Sequence, residues 1–340
     1  MLTTEQIELY ESMDRWGVIY KKYGCAAGLF VLGTELYVAP TRELSQFQLD
    51  MLDVQEDYYR CFHEHLDAMQ YYSKAEHDDK GMRLKKGENP FPMVRDSMEV
   101  RPLSGYTNVL WATEFRHPNF PDREKFQISP WESEFFIKQE RDKRITSDKK
   151  LAYYASSIPV ASGSGGLHFE LLRECVLTWA KRLRPAHGLA GLSVKTTDST
   201  EDGPFIYPTL KKYIGLDAYF PLNFSFNAKT VYNRIKCVNW LTVLGDEIIE
   251  ELDGLAVLKK ALEPECTLYP YPGGVLIQAG EAPRLGDIKV PGSSELIKPY
   301  RKVAAITKRV RFMDYKNELF RVDKSLNAED EARKWVSRFD

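Results

Sequence analysis

One stretch of the chain changes the period of its apolar positions twice, and these changes predict its secondary structure. Residues 235–244 are apolar on both alternating sets and rich in β-branched and aromatic side chains, as in a centrally buried strand. From Asp246 to Leu262 apolar residues recur at helical spacing, with Asp246 as the predicted cap and Pro264 as the stop. Residues 266–280 place a Pro/Gly turn between two short apolar runs, which predicts a hairpin. Four positions of the strand and of the helical stripe are predicted core residues: Trp240, Leu244, Ile248 and Leu252.

The N-terminal half is predicted to contain a strand followed by a long, acidic helix. Residues 26–39 have the composition of a strand, and apolar residues then recur every three or four positions from Phe47 to Met69. Residues 41–79 contain ten acidic and three basic residues, so this segment carries 3 − 10 = −7. Because the whole chain carries only −2, the negative charge is concentrated here.

Further segments with the same two periods predict the fold class. Strands are predicted at 107–115, 132–139, 151–160 and 188–194, and helices at 169–183, 203–213, 299–307 and 328–339. This order of elements predicts an α+β fold in which a mixed or antiparallel sheet packs against amphipathic helices. We expect a single compact domain over residues 1–340, with lobes 1–160 and 161–340 as the alternative division.

Composition and cysteine usage narrow the class of protein. A hydrophobic fraction of 43% provides a core, and a net charge of −2 with a pI near 6.4 argues against a general nucleic-acid binder. The five cysteines are widely spaced and lie mostly in apolar segments, so we predict small buried side chains in a reducing compartment. No apolar run resembles a signal peptide or a transmembrane helix. We therefore expect a cytoplasmic protein with no membrane or direct nucleic-acid partner.

Two short motifs suggest ligands, but each has a simpler interpretation. The glycine-rich segment 162–166 could cradle a phosphate, yet it lacks the Lys-Ser/Thr of a P-loop, and a flexible turn is favoured. His63 and His65, near Cys61 and His77, are two residues apart on a predicted helix and cannot share an ion. No cysteine, histidine or serine lies in a recognisable nucleophile motif. We therefore predict no catalytic residue, no metal site and no cofactor.

The C-terminal half resembles a known family in the order of six segments. In chain order these are Pro185-Ala-His-Gly-Leu-Ala-Gly-Leu-Ser193, Tyr207-Pro-Thr-Leu-Lys-Lys-Tyr213-Ile-Gly-Leu-Asp217, Cys237-Val-Asn-Trp-Leu-Thr-Val-Leu-Gly-Asp246, Gly273-Gly-Val-Leu-Ile-Gln-Ala-Gly280, Pro283-x-x-Gly-Asp287 and Pro299-Tyr-Arg-Lys-Val-Ala304. Together they resemble the type VI secretion immunity family directed against VRR-Nuc-type nucleases, the TsiV group. Residues 26–185 match only in general layout, and Ile214 stands where the family often has proline.

The resemblance implies a cytoplasmic, non-catalytic protein that binds a toxic effector and neutralises it. The effectors of this family are typically nucleases with a metal-dependent active site, encoded beside the immunity protein. The family offers no catalytic residues to carry over, and its motif glycines are interpretable as turns and close packing. The alternative is a small-molecule enzyme of unknown type, whose site would be a convergent pocket with perturbed titratable groups.

Acidic side chains are the candidates for contact with such an effector, and the alternative is that they form a solvated helix face that serves solubility. A nuclease needs lysine and arginine to bind phosphates, so carboxylates of an inhibitor can dock against its cationic cleft and occlude the active site. The loops at 74–86 and 197–204 are further candidates. Nine residues are predicted partner contacts: Asp53, Asp57, Glu64, Glu76, Asp78, Asp79, Asp198, Glu201 and Asp202.

Overall fold

A single sheet joins the strands that the structure describes. The computed structural model describes residues 2–13, 17–20, 25–40, 44–73, 78–85, 87–97, 106–113, 128–137, 151–162, 166–196 and 203–340. Within these ranges the strands are β1 (Gly17–Tyr20), β2 (Cys25–Val38), β3 (Ala68–Ser73), β4 (Asp78–Arg83), β5 (Tyr106–Trp111), β6 (Glu132–Ile137), β7 (Ala152–Ile158), β8 (His187–Thr196), β9 (Asp217–Ala218), β10 (Leu241–Gly245), β11 (Cys266–Tyr271) and β12 (Gly274–Ala279). The main order is β11-β12-β10-β8-β2-β7-β6-β5-β3-β4, with β1 beside β2 and β9 beside β8.

Helices complete the α+β architecture and confirm the predicted fold class. They are α1 (Thr4–Glu11), α2 (Leu44–Phe62), α3 (Phe91–Ser97), α4 (Phe169–Leu183), α5 (Gly203–Lys212), α6 (Pro221–Ala228), α7 (Asp246–Glu251), α8 (Leu255–Leu262), α9 (Ser293–Leu296), α10 (Lys298–Thr307) and α11 (Ala328–Val336). Strand pairs are antiparallel except for β8 with β9, which run parallel. None of the helices described combines the length and the apolar character needed to cross a membrane.

The centre of the sheet is covered by helices on both faces. Leu36 and Tyr154 are directly opposite each other on β2 and β7, and the Tyr154 ring packs edge-on against Trp179 of α4, 5.2 Å away. The next residue pair, Tyr37 and Tyr153, points to the other face because side chains alternate along a strand. There Tyr37 contacts Phe224 of α6 at 4.8 Å. This two-sided burial explains the nearly uninterrupted apolar composition of β2.

The two ends of the sheet are formed by different strand termini. At the end that we call the Trp131 end, β2, β6 and β10 begin and β7, β8 and β12 end. Trp131 itself immediately precedes β6. The 3-10 turn His63–His65, which comes after α2, also lies there, because His65 stacks on the Trp131 ring at 4.1 Å.

The strand predicted over 235–244 is wrong in its first half. The regular strand is only β10, although 235–240 are as buried as predicted. Backbone groups there form hydrogen bonds outside the sheet. Asn239 Oδ1 accepts the N–H of Trp240 at 2.7 Å, the N–H of Ile235 donates to the carbonyl of Val310, and the carbonyl of Ile235 accepts the N–H of Phe312. An apolar run therefore indicated burial correctly but not ladder pairing.

The helix predicted from Asp246 to Leu262 is two helices, α7 and α8. Asp253 and Gly254 separate them with positive φ angles of 71° and 93°. Both helices are amphipathic, so the apolar repeat continues through the break. The cap of α7 is also not Asp246, because the N-cap is Gly245 and no side chain caps this helix.

The long acidic helix ends earlier than predicted. It stops at Phe62, and Met69 lies in β3, so residues 41–79 do not form one helical face. Leu66 and Met69 fit a helical repeat by spacing, but Met69 and Tyr71 are equally compatible with the buried side of a strand. Between the predicted helix 203–213 and the predicted strand 235–244, where no element was predicted, the structure has β9 and α6.

The predicted core residues are confirmed, and Trp240 provides a stability test. Trp240, Leu244, Ile248 and Leu252 are all buried, and the Trp240 indole N–H donates to the carbonyl of Gly280 at 3.1 Å. We expect Trp240→Ala to lower the free energy of unfolding by about 3–5 kcal/mol, because it leaves a large cavity. Urea unfolding of the variant and the wild type measures this difference, and equal midpoints would contradict the core assignment.

Candidate functional site

Three ionisable side chains lie close together inside the described part of the protein. Lys236, Glu35 and Asp217 are 0%, 1% and 0% exposed. The Lys236 ammonium donates to Glu35 Oε2 at 2.8 Å, to Asp217 Oδ2 at 3.2 Å and to the carbonyl of Ala218 at 2.8 Å. These three acceptors use all three of its hydrogens. We call Glu35, Asp217 and Lys236 the buried ion cluster.

The environment of the buried ion cluster raises the pKa of both Glu35 and Lys236. Burial raises the pKa of Glu35, against the effect of the Lys236 charge, and the Asp217 carboxylate raises it further. The pKa of Lys236 is also raised, because Asp217 and Glu35 outweigh the burial that would lower it. His187, which stacks on Tyr37 at 4.7 Å, is held neutral because burial and the Lys236 charge lower its pKa to about 3.

This cluster has the perturbed groups of an enzyme site but no access for a substrate. The Glu35 carboxylate also accepts two internal donors: Oε2 accepts the Tyr37 hydroxyl at 2.6 Å, and Oε1 accepts the N–H of Phe220 at 3.1 Å. Within the described part of the chain, the ring nitrogens of His187 have no hydrogen-bond partner and no exposure. The cluster is therefore suited to holding chain segments together rather than to turning over a ligand.

The predicted contacts on α2 are engaged with arginines from neighbouring helices. Asp53 is 2.6 Å from Arg95 and 2.5 Å from Arg182, which belong to α3 and α4. Glu56, beside it, accepts from Arg95 at 2.5 Å and from Arg60 at 2.8 Å. These residues, together with Asp57, form what we call the arginine network.

The arginine network is close to neutral, unlike the segment from which its acids come. Its acids Asp53, Glu56 and Asp57 contribute −3, and Arg60, Arg95 and Arg182 contribute +3, so the sum is zero. Burial raises the pKa of Asp57, while Arg182 and Arg60 lower it. Two of these three arginines lie outside residues 41–79 and are absent from the charge of that segment. The acidic flank of α2 is thus weaker than the sequence suggests.

The other predicted contacts are distributed over several elements. Glu64 is exposed in the 3-10 turn at the Trp131 end, and no ion pair involves it among the residues described. Asp78 and Asp79 belong to β4, the edge strand next to β3. Four predicted contacts lie outside the described residues: Glu76, Asp198, Glu201 and Asp202. The structure therefore does not bring the nine acids together in one described patch.

The two ligand motifs show no ligand geometry where they are described. Gly166, with φ 105°, directs its N–H to Glu11 Oε1 at 3.5 Å, so this amide faces a carboxylate rather than an open anion site. Residues 163–165 and His77 lie outside the described residues. Across the described ranges, no group of three His, Cys, Asp or Glu side chains is placed to hold a metal ion.

The prediction of buried cysteines holds for three of the four whose side chains the structure describes. Cys175, Cys237 and Cys266 are buried, but Cys61 on α2 is exposed. Its neighbour Cys175 lowers the pKa of the Cys61 thiol to about 7. The sequence did not indicate this, because the contact joins α2 to α4.

Comparisons with known proteins point to one family. Residues 164–339 match the profile of a family described as type VI immunity for VRR-NUC, TsiV, which confirms the resemblance predicted from the sequence. The fold is similar to that of the Pseudomonas aeruginosa T6SS protein PA0821, with a TM-score of 0.68 and 20% identity over 93% of this chain and 85% of that chain. At this identity the likeness concerns the fold. A comparison with curated protein sequences gives no match.

The buried ion cluster makes a prediction about stability. Lys236→Met leaves Glu35 and Asp217 buried without their cation, and we expect it to lower the free energy of unfolding by about 3–5 kcal/mol. Urea unfolding measures the loss. Adding Glu35→Gln to that variant should restore part of the stability, because one unpaired charge is removed. A Lys236→Met protein as stable as wild type would contradict this account.

The arginine network makes a prediction about acid stability. Burial alone would raise the pKa of Glu56, but hydrogen bonds from Arg95, Asn89 and Arg60 hold it below its usual range. A lowered pKa in the folded state stabilises the protein above the unfolded value, about 4.3, and this contribution is lost as the pH falls through the folded pKa. We expect Glu56→Gln to be less stable than wild type at neutral pH and the difference to shrink below about pH 4. Urea midpoints measured across this range test it, and a constant difference would contradict it.

Proposed function

The chain belongs to the family described as type VI immunity for VRR-NUC, and from this premise we propose that it binds a cognate VRR-NUC effector and neutralises it. The family match over residues 164–339 is the observation that carries the proposal. We propose further that the inhibitor acts by occluding the active site of the nuclease, without chemistry of its own. Occlusion requires only a complementary surface, which a stable scaffold provides.

The absence of enzymatic activity is part of this proposal. The convergent titratable groups are Glu35, Asp217 and Lys236, and all three are shielded from solvent. An enzyme would need at least one such group to reach a substrate. The small-molecule enzyme is therefore the less favoured interpretation of the buried ion cluster. We place the protein in the cytoplasm, where a nuclease toxin would meet DNA.

The acidic residues remain predicted contacts, but they differ as probes of docking. Reversing Asp53 to Lys would place a third cation against Arg95 and Arg182, so a loss of binding would be confounded by a loss of stability. Glu64 is exposed and has no ion pair among the residues described. Glu64 therefore tests the acidic contact without disturbing an internal pair.

We predict that the purified chain binds the VRR-NUC protein encoded beside its gene and protects plasmid DNA from it. Calorimetry measures the affinity, and a cleavage assay measures the protection. Glu64→Lys should weaken binding by roughly two- to fivefold at low salt, with a smaller effect at high salt, because exposed charges are screened.

Glu250→Lys is the matched control. Glu250 is an exposed acid on α7, which comes directly after β10 at the opposite end of the sheet. Failure of the wild-type chain to bind or to protect would overturn the proposed function. Binding and protection that are intact and insensitive to Glu64→Lys would remove only Glu64 from the docking surface.

A further inference from the structure

An apolar turn projects from the surface between β12 and α9. Ile288 and Val290 are 62% and 55% exposed, the highest values among the large apolar residues that the structure describes. Lys289 lies between them and is exposed as well. Single exposed apolar side chains are common, but two at the tip of one turn form a local apolar patch that is suited to binding a partner. We call residues 287–290 the apolar turn.

The apolar turn is rigidly held to the segment 212–215. Ile288 N–H donates to the carbonyl of Lys212 at 3.0 Å, and Gly215 N–H donates to the carbonyl of Leu285 at 2.8 Å. A Cβ on Gly215 would lie 1.8 Å from the carbonyl oxygen of Arg284, so only glycine permits this approach. Leu285 is itself buried. The exposed side chains are therefore presented by a fixed backbone.

Within the apolar turn the charges of Asp287 and Lys289 sum to zero, but Asp287 is paired with Lys212 at 3.5 Å. Lys212, Asp287 and Lys289 together carry +1 + 1 − 1 = +1. The Lys289 side chain has no ion pair among the residues that the structure describes. The four basic residues within 302–311 differ from Lys289, because each has an acidic partner within 4 Å: Lys302 with Glu265, Lys308 and Arg311 with Asp340, and Arg309 with Asp253.

The apolar turn lies at the Trp131 end of the sheet, as does Glu64. It comes after β12, whose last residue is at that end, and Pro283 accepts the hydroxyl of Tyr10 at 2.8 Å. Tyr10 also contacts Phe169, the first residue of α4, at 5.3 Å. The five strand steps from β6 to β12 span about 24 Å, which is within the width of one ordinary protein interface.

We propose that the apolar turn is the anchor by which the effector is bound, and that it docks against the carboxylates of the nuclease's metal site. This inference rests on the proposed function. Nucleases hold their divalent ions with acidic side chains, so an unpaired ammonium flanked by apolar side chains complements that site in charge. Burial of Ile288 and Val290 supplies the affinity, and Lys289 supplies the selectivity for an acidic partner.

The first test compares matched substitutions at the two ends of the sheet. Ile288→Asp and Val290→Asp should each weaken binding of the adjacent VRR-NUC protein by about tenfold or more, because each removes apolar burial and adds charge repulsion. Val231→Asp is the control. Val231 is 38% exposed and lies at the opposite end, next to Lys229, whose carbonyl accepts the N–H of Leu151 just before β7. Urea unfolding verifies that all three variants fold.

The second test separates the acidic metal site from other partners. Lys289→Glu should weaken binding, whereas Lys229→Glu at the opposite end should not. Excess Mg²⁺ should weaken binding of the wild type relative to EDTA and should have little effect on Lys289→Ala, because the ammonium and the metal compete for the same carboxylates. A DNA duplex alone should not bind the chain.

Four outcomes would overturn the inference. Unchanged affinity in Ile288→Asp and Val290→Asp, with wild-type binding intact, removes the anchor and leaves the proposed function standing. Insensitivity of wild-type binding to Mg²⁺ removes the metal site as the partner. Binding of free DNA that depends on Lys289 assigns the turn to nucleic acid instead. No binding by the wild type overturns both the inference and the proposed function.

Discussion

The ammonium group of Lys236 has to remain charged where water cannot reach it, and three distant parts of the chain meet around it. Glu35 comes from β2, Asp217 and Ala218 come from β9, and Lys236 comes from the buried segment before β10. An unpaired charge inside a protein costs several kcal/mol, so each of these segments is constrained by the other two. Glu35 also accepts the N–H of Phe220, which fixes the start of α6.

This dependence explains which elements could be predicted from the sequence. Long segments with a clear apolar pattern, such as β2, β8 and α4, were predicted nearly to their ends, because burial on both faces of the strands and on one face of the helix dictates their composition. β9 and α6 were not, because their positions are set by Asp217 and Phe220 meeting partners far away in the sequence. The same holds for residues 235–240, whose backbone is satisfied by Asn239 and by a C-terminal segment rather than by a strand ladder.

The candidate site was less predictable than the fold, because charge is decided by pairing in three dimensions. Counting acids along residues 41–79 suggested a strong negative field, but Arg95 and Arg182 approach Asp53 from other helices. The basic residues of segment 298–311 show the same effect, because most of them form ion pairs with acids such as Asp340. Lys289, which lies outside that segment, forms no ion pair among the residues described. A charge tally cannot distinguish these cases.

The buried ion cluster and the exposed apolar turn are connected through one short segment. Asp217 is fixed by Lys236, and Gly215, two residues earlier, donates its N–H to Leu285 at the base of the turn. Arg338 clamps the same segment, since its guanidinium donates to the carbonyls of Ile214 at 2.8 Å and Leu216 at 3.2 Å. A partner that docks on a pre-organised turn does not have to order it first, so less of the interaction energy is lost on binding. The costly internal charges thus contribute to recognition at a distance, by holding in place the backbone that presents Ile288 and Val290 to solvent.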